Sequence, residues 1–180
     1  MLQFEDLLVQ VLLRKHLIKK PILKTRLIKL AYLVEVEYYR LFGERISNTK
    51  WIYYKYGPYV DGYNKMLKRK DFNYKSYRRG VYSKIGLRNP TGHEAIDPKM
   101  SQVIDIVVGK YGDLDLNELL DLVYFNTEPM IYVEDVNDVL DFSLVLPLKE
   151  YSEDSKLIPD KNLNSIKQFV LDRRDSVRRL

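Results

Sequence analysis

The sequence predicts a mainly α fold: a compact helical domain around a central apolar helix, with a small β-hairpin or short antiparallel sheet near residues 50–90. Three observations predict it. Residues 22–42 carry apolar side chains on two faces of one helical pattern, which is the mark of a helix covered on both sides. Asp97-Pro98 and Asp115 with Glu118 are helix starts, each followed by apolar residues at i, i+3, i+4 spacing. Between the halves lies Lys50-Trp51-Ile52-Tyr53-Tyr54-Lys55-Tyr56, rich in strand-favouring aromatics and punctuated by Gly57-Pro58.

The elements follow in order. Phe4, Leu7, Leu8, Val11 and Leu12 give a first helix over residues 3–17. Lys19-Lys20-Pro21 closes it, and Pro21 suits the first turn of the next helix, where its missing N–H costs nothing. In helix 22–42, Leu23, Leu27, Leu30, Ala31, Val34, Tyr38 and Leu41 form the main stripe. Ile28, Tyr32, Val36 and Tyr39 widen it. Gly43 stops the helix because it can take the left-handed conformation. The aromatic strand then leads to a turn at Tyr56-Gly57-Pro58-Tyr59, and Val60–Arg69 resumes helical spacing. Residues 71–92 read as irregular, with Val81–Ile85 and Gly86-Leu87-Arg88 as short strands expected to pair with the 50s.

Pro98 at a first helical position behind an aspartate cap opens a helix carrying Met100, Val103, Ile104, Val107, Val108 and Tyr111, stopped by Gly112. Asp115 and Glu118 form a capping box for the helix with Leu116, Leu119, Leu120 and Val123. Pro129 ends that helix or begins a turn. Glu134–Phe142 is expected to be a short helix whose buried side is supplied by Val133, Val136, Val139 and Leu140. The organisation expected is a helical domain over 1–146, a polar linker or long loop over 147–160, and a C-terminal helix over 161–180 docked on the domain.

Composition narrows the function classes. Among 180 residues there is no cysteine, so thiolate metal sites, disulfides and thiol nucleophiles are excluded. No serine sits in a nucleophile elbow and no glycine-rich phosphate loop occurs. The reading is a protein without catalytic function, and no cofactor or metal is expected. The N-terminus lacks the pattern of a secretory signal and no apolar run reaches membrane-spanning length, so a cytoplasmic location without membrane association is expected. His93, Glu94 and Asp97 lie close together, but lack the second histidine one turn away that a zinc-protease helix carries. A surface loop is the plainer reading.

Two surfaces are candidates for partners. Net charge is +5. Basic residues cluster at Arg14, Lys15, His16, Lys19, Lys20, Lys24, Arg26 and Lys29, and again at Arg173, Arg174, Arg178 and Arg179. They could meet phosphates or an acidic protein, which leaves a nucleic-acid-binding regulator as the alternative function. Solvated helix faces are the plainer reading, because charge runs usually face solvent. Tyrosine is in excess, with 15 copies. The group Trp51, Tyr53, Tyr54, Tyr56, Tyr59 and Tyr63 is read either as core or as interface anchors. In a strand, Trp51 and Tyr53 face one way and Ile52, Tyr54 and Tyr56 the other. One set packs on the central helix and the other is half exposed.

The order of motifs resembles a known family. A KLAYLVE helix (Lys29, Leu30, Tyr32, Leu33), then Leu41-Phe42-Gly43, then Trp51 and Lys55-Tyr56-Gly57-Pro58 with Val60, is similar to the Panacea domain, also called the SocA-like antitoxin domain. The second half agrees through Val107–Leu114, with Tyr111-Gly112, and through Glu118-Leu119 and Leu122. The family closes this segment with Thr-His and then Pro-Trp. Here the places hold Val123-Tyr124 and Pro129-Met130, so any role of that histidine and tryptophan is not carried over. The resemblance spans about residues 20–132. It assigns structural roles to Lys29, Tyr32, Gly43, Gly57, Pro58, Tyr111, Gly112 and Pro129. It implies a mainly helical antitoxin that neutralises a cognate protein toxin by direct binding, with presentation of the toxin to a protease as one mode known in the family.

Overall fold

The computed structural model describes residues 1–14, 17, 20–77 and 82–147. Lys15, Lys19, Arg173, Arg174, Arg178 and Arg179, together with the expected linker beyond Pro147 and the C-terminal helix, lie outside the described residues. Helix α1 (Phe4–Leu12) is followed by strand β1 (Ile22–Leu23), the long helix α2 (Lys24–Phe42), and strands β2 (Ile52–Tyr54) and β3 (Gly57–Tyr59). A single helical turn, α3 (Tyr63–Met66), precedes strands β4 (Phe72–Tyr77) and β5 (Tyr82–Leu87). Helices α4 (Pro98–Tyr111), α5 (Leu116–Phe125) and α6 (Glu128–Tyr132) complete the body, followed by a 3-10 turn at Phe142–Leu144.

The architecture is helix-dominant with two small antiparallel sheets. α2 is the hub. Leu27, Leu30, Ala31, Tyr32, Val34 and Val36 on it are fully buried, and α1, α4, α5 and strands from both sheets pack around it. Burial on all sides explains why its apolar residues are not confined to one stripe. Gly43 ends it with φ +70°, its N–H bonded to the carbonyl of Tyr39 at 2.7 Å. α4 begins as its sequence predicts, with Asp97 accepting from the Lys99 N–H at 2.8 Å. α5 carries the capping box: Asp115 accepts from the Asn117 N–H at 2.8 Å, and Glu118 accepts from the Asp115 N–H at 3.0 Å. Arg26 ties this corner to α2 by donating to the carbonyls of Gly112 and Leu114.

The sheets differ from expectation in four ways. The strand of the 80s pairs with β4 and with β1, in the order β1-β5-β4, and not with the 50s. Phe72–Tyr77 is therefore a strand where an irregular stretch was expected. Phe72 is its one buried residue, Asn73 and Tyr74 are half-buried and Lys75, Ser76 and Tyr77 are exposed, so no apolar alternation marks it in the sequence. Pro21 does not open α2. It precedes β1 and packs on Gly86 of β5, and α2 starts three residues later. The turn of the second sheet falls on Lys55-Tyr56, so Gly57-Pro58-Tyr59 is strand β3 itself, with Tyr54 opposite Gly57 and Tyr53 opposite Pro58.

The helix expected over Glu134–Phe142 is absent. Residues 137–140 instead run alongside β2. The Tyr53 N–H donates to the Asp138 carbonyl at 2.8 Å, the Tyr53 carbonyl accepts from Asn137 at 2.7 Å, and the Leu140 N–H donates to the Trp51 carbonyl at 3.0 Å. Val133, Val136 and Val139 are β-branched and lower helix propensity, and the open edge of β2 supplies backbone partners that a helix would forgo. Asn137 turns the chain there with φ +77°.

Candidate functional site

The aromatic corner is built on the hairpin β2–β3. Gly57 follows the two-residue loop Lys55-Tyr56 and takes φ +88°, a left-handed conformation that glycine adopts without strain. Tyr53 and Pro58 face each other across the hairpin. Tyr53 directs both its backbone groups outward to Asn137 and Asp138. The pair is thus a non-hydrogen-bonded one, and the N–H that Pro58 lacks is not needed there. The Pro58 carbonyl also points outward, to the opposite side, where it accepts from the Lys29 ammonium at 2.9 Å.

Lys29 is 2 % exposed and sits beneath the hairpin. Burial lowers its pKa to about 7, because the charged form loses its hydration. A Cβ at Gly57 would lie 3.2 Å from Lys29 Nζ and 3.4 Å from the Tyr124 ring. Lys29, Gly57, Pro58 and Tyr124 therefore share one contact. The lysine of the KLAYLVE helix and the Gly-Pro of the hairpin, far apart in the chain, are two halves of one structural device. Tyr124 is the third wall.

A second buried polar centre lies further along α2. Glu35 is fully buried. Its carboxylate accepts from Arg45 Nε at 2.8 Å, from the Ser47 N–H at 3.1 Å, from the Ser47 hydroxyl at 2.5 Å and from Trp51 Nε1 at 3.2 Å. Arg45 also donates to the Thr49 carbonyl at 2.8 Å and lies over the Phe142 ring at 3.9 Å. The residues following α2 are thereby fixed to its flank, so that Trp51 enters the core at a defined angle. Trp51 meets Phe4 and Tyr32 edge-to-face at 5.5 and 5.4 Å. Tyr32 in turn shares a hydrogen bond with Thr127, and burial raises its pKa. Reading the sequence for candidate residues passed over Glu35. The signal was present: Leu27, Ala31, Val34, Glu35 and Tyr38 lie on one helical face, so the carboxylate had to be buried and paired.

The six aromatics divide sharply. Trp51, Tyr53 and Tyr63 are core residues, and Tyr63 donates to the Lys24 carbonyl at 2.8 Å. Tyr59 is half-buried between Tyr54 and Tyr63, with ring centroids at 5.3 and 6.1 Å. Tyr54 and Tyr56 are 45 % and 55 % exposed at the hairpin loop. Ile52, expected on the half-exposed set, is buried, with residue 139 paired beside it.

The described members of the basic clusters do not form one cationic surface. Arg14 bridges α1 to α4 through Asp105 at 2.9 Å and through the hydroxyl and carbonyl of Ser101. Arg26 and Lys29 are engaged internally as described. Lys20 is exposed. His93 shares a hydrogen bond with the Asn89 carbonyl, and Asp97 caps α4. Among the described residues no three His, Asp or Glu are grouped so as to hold a metal ion. None of the described helices is long and apolar enough to cross a membrane.

The profile of the family described as "Antitoxin SocA-like, Panacea domain" matches residues 27–128. The chain belongs to this family. The matched span begins on α2 two residues before Lys29 and ends on α6 at Glu128, so it contains the whole Lys29–Gly57–Pro58–Tyr124 contact. It also contains Tyr32, Gly43, Tyr111 and Gly112, while Pro129 lies immediately beyond it. No curated protein and no solved structure matches the chain. In this Panacea domain the motif residues Lys29, Tyr32, Gly57 and Pro58 are interior, and the exposed part of the motif hairpin is its aromatic tip.

Proposed function

We propose that this Panacea-domain protein neutralises a cognate protein toxin by binding it directly, and that the tip of hairpin β2–β3 is part of the contact surface. The observation carrying this reading is the division of the aromatics within the family-matched segment. Trp51, Tyr53 and Tyr63 anchor the hairpin in the core, while Tyr54 and Tyr56 stand exposed beside the half-buried Tyr59. A rigidly held hairpin carrying two open tyrosines offers contact area at low conformational cost. In the finer form of the proposal, the bound toxin is presented to a protease, and no chemistry is asked of this chain.

Co-expression with the product of the neighbouring gene tests it. Growth rescue and a stable complex on pull-down are expected, and both should weaken with Tyr54→Ala combined with Tyr56→Ala. A neighbour that is harmless and does not bind defeats the antitoxin reading for this member. In the adaptor mode, the toxin's half-life in cells shortens when the two are co-expressed.

A further inference from the structure

Charge is segregated along the chain. Residues 111–147 contain nine Asp or Glu and no Lys, Arg or His, whereas residues 161–180 contain six Lys or Arg and two Asp. The acidic stretch builds a groove of 370 Å³ between α6 and the segment that follows it. Its apolar lining includes Tyr132, Val139 and Leu144, which are 64 %, 55 % and 38 % exposed. Glu134, Asp138 and Asp141 supply three carboxylates around them. An open apolar strip edged by carboxylates fits a segment that is both apolar and cationic.

The chain itself carries such a segment. Leu163, Ile166, Val170 and Val177 recur at helical spacing, and Arg173, Arg174, Arg178 and Arg179 supply the cations. Leu144 lines the groove, and only three residues later, at Pro147, the described chain ends. The intervening residues 148–160 can span about 43 Å when extended, so a return to the groove is sterically open. Tethering also gives an effective concentration in the millimolar range. We propose that the groove formed by Tyr132, Val139 and Leu144 with Glu134, Asp138 and Asp141 is the docking site for the chain's own residues 161–180.

The test uses the full chain, whose lack of cysteine makes introduced thiols unique. Spin labels on Val136→Cys and Ser176→Cys should give a short, narrow distance distribution. Charge reversal by R173E, R174E, R178E and R179E together should broaden and lengthen it. Adding E134R and D138R to that variant should restore it. Independently, a thiol at Leu144→Cys should be alkylated on the order of tenfold more slowly in the otherwise native chain than in the charge-reversed one. A broad distribution indifferent to charge reversal overturns the proposal. So does a narrow distribution that survives reversal with Leu144→Cys freely reactive, because the segment then docks elsewhere. Restoration by the swapped charges excludes a trivial loss of folding.

Discussion

The Lys29 ammonium donates to the Pro58 carbonyl at 2.9 Å inside a site that is closed to solvent. It joins the central helix to the hairpin through a group whose charge is costly there. Burial lowers the lysine's pKa from 10.5 to about 7. Between these values the unfolded chain holds a proton that the folded chain has released, so the contribution of this group to stability rises with pH across that window. Lys29→Met removes the titration. The stability difference between native protein and variant should therefore move in favour of the native protein, by up to about 1.4 kcal/mol per pH unit, as pH rises from neutrality to about 10.5. Below neutrality the difference should be flat. Urea unfolding of both proteins across this range measures it, and a pH-independent difference contradicts the assignment.

Gly57 is required twice over in the same contact. Its φ of +88° disfavours any L side chain, and an added methyl would press on Lys29 and the Tyr124 ring. Gly57→Ala should cost about 2–4 kcal/mol, the sum of backbone strain and local repacking. Gly43→Ala is the matched control. It shares a positive φ of +70° but meets nothing within 4 Å, so it should cost less. Thermal unfolding separates them, with roughly 2–4 °C expected per kcal/mol for a domain of this size. Equal losses would mean that the close approach to Lys29 contributes nothing.

The helices were readable because their signals are local. Asp97-Pro98, Asp115 with Glu118, and Gly43 mark their own boundaries through capping chemistry that needs no tertiary partner. The hairpin was legible as an aromatic strand meeting Gly-Pro, but not its register. The position of the turn depends on Tyr53 giving its backbone groups to residues 137 and 138, a contact more than 80 positions away. The same contact removed the helix expected over residues 134–142. Tyr82–Leu87 pairs along its length with the neighbouring Phe72–Tyr77, which carries no apolar alternation to announce it, and at one end with Ile22-Leu23, a contact across a long stretch of chain. Among the candidate aromatics, strand alternation separated Trp51 and Tyr53 from Tyr54 and Tyr56 correctly. It failed for Ile52, which is buried although it alternates with the buried Tyr53. Glu35 was legible in principle, because a helical face with one carboxylate among apolar residues demands a partner.

Tyr54 and Tyr56 contrast with their neighbours in a measurable way. Both are exposed, so replacing them with alanine should change stability by no more than about 0.5 kcal/mol each. Trp51→Ala should cost about 3–5 kcal/mol, as expected for a large buried ring. Toxin binding, if it uses the hairpin tip, should respond in the opposite order at a temperature where all variants are folded. Calorimetric titration against the cognate partner reads this directly. An unchanged affinity in the Tyr54/Tyr56 double variant would move the contact surface away from the hairpin.

Glu35 offers the sharpest test of how the core is specified. Four donor groups converge on its carboxylate, from Arg45, the Ser47 amide, the Ser47 hydroxyl and Trp51. Only an acceptor with two oxygens can satisfy this set. Glutamine has nearly the same shape but turns an NH2 donor toward groups that are themselves donors. Glu35→Gln should therefore be far from conservative, losing about 2–4 kcal/mol. Glu35→Ala, which also strands Arg45, should lose about 3–5 kcal/mol. Trp51→Phe removes one donor while keeping a ring against Phe4 and Tyr32, and should cost roughly 1–2 kcal/mol, part of it lost volume. In the Trp51→Phe background the penalty of Glu35→Gln should shrink, because one conflicting donor has gone. A double-mutant cycle by urea denaturation measures that coupling. Strict additivity would show that Trp51 and Glu35 do not share the bond, and that the indole is held in the core by its aromatic neighbours alone.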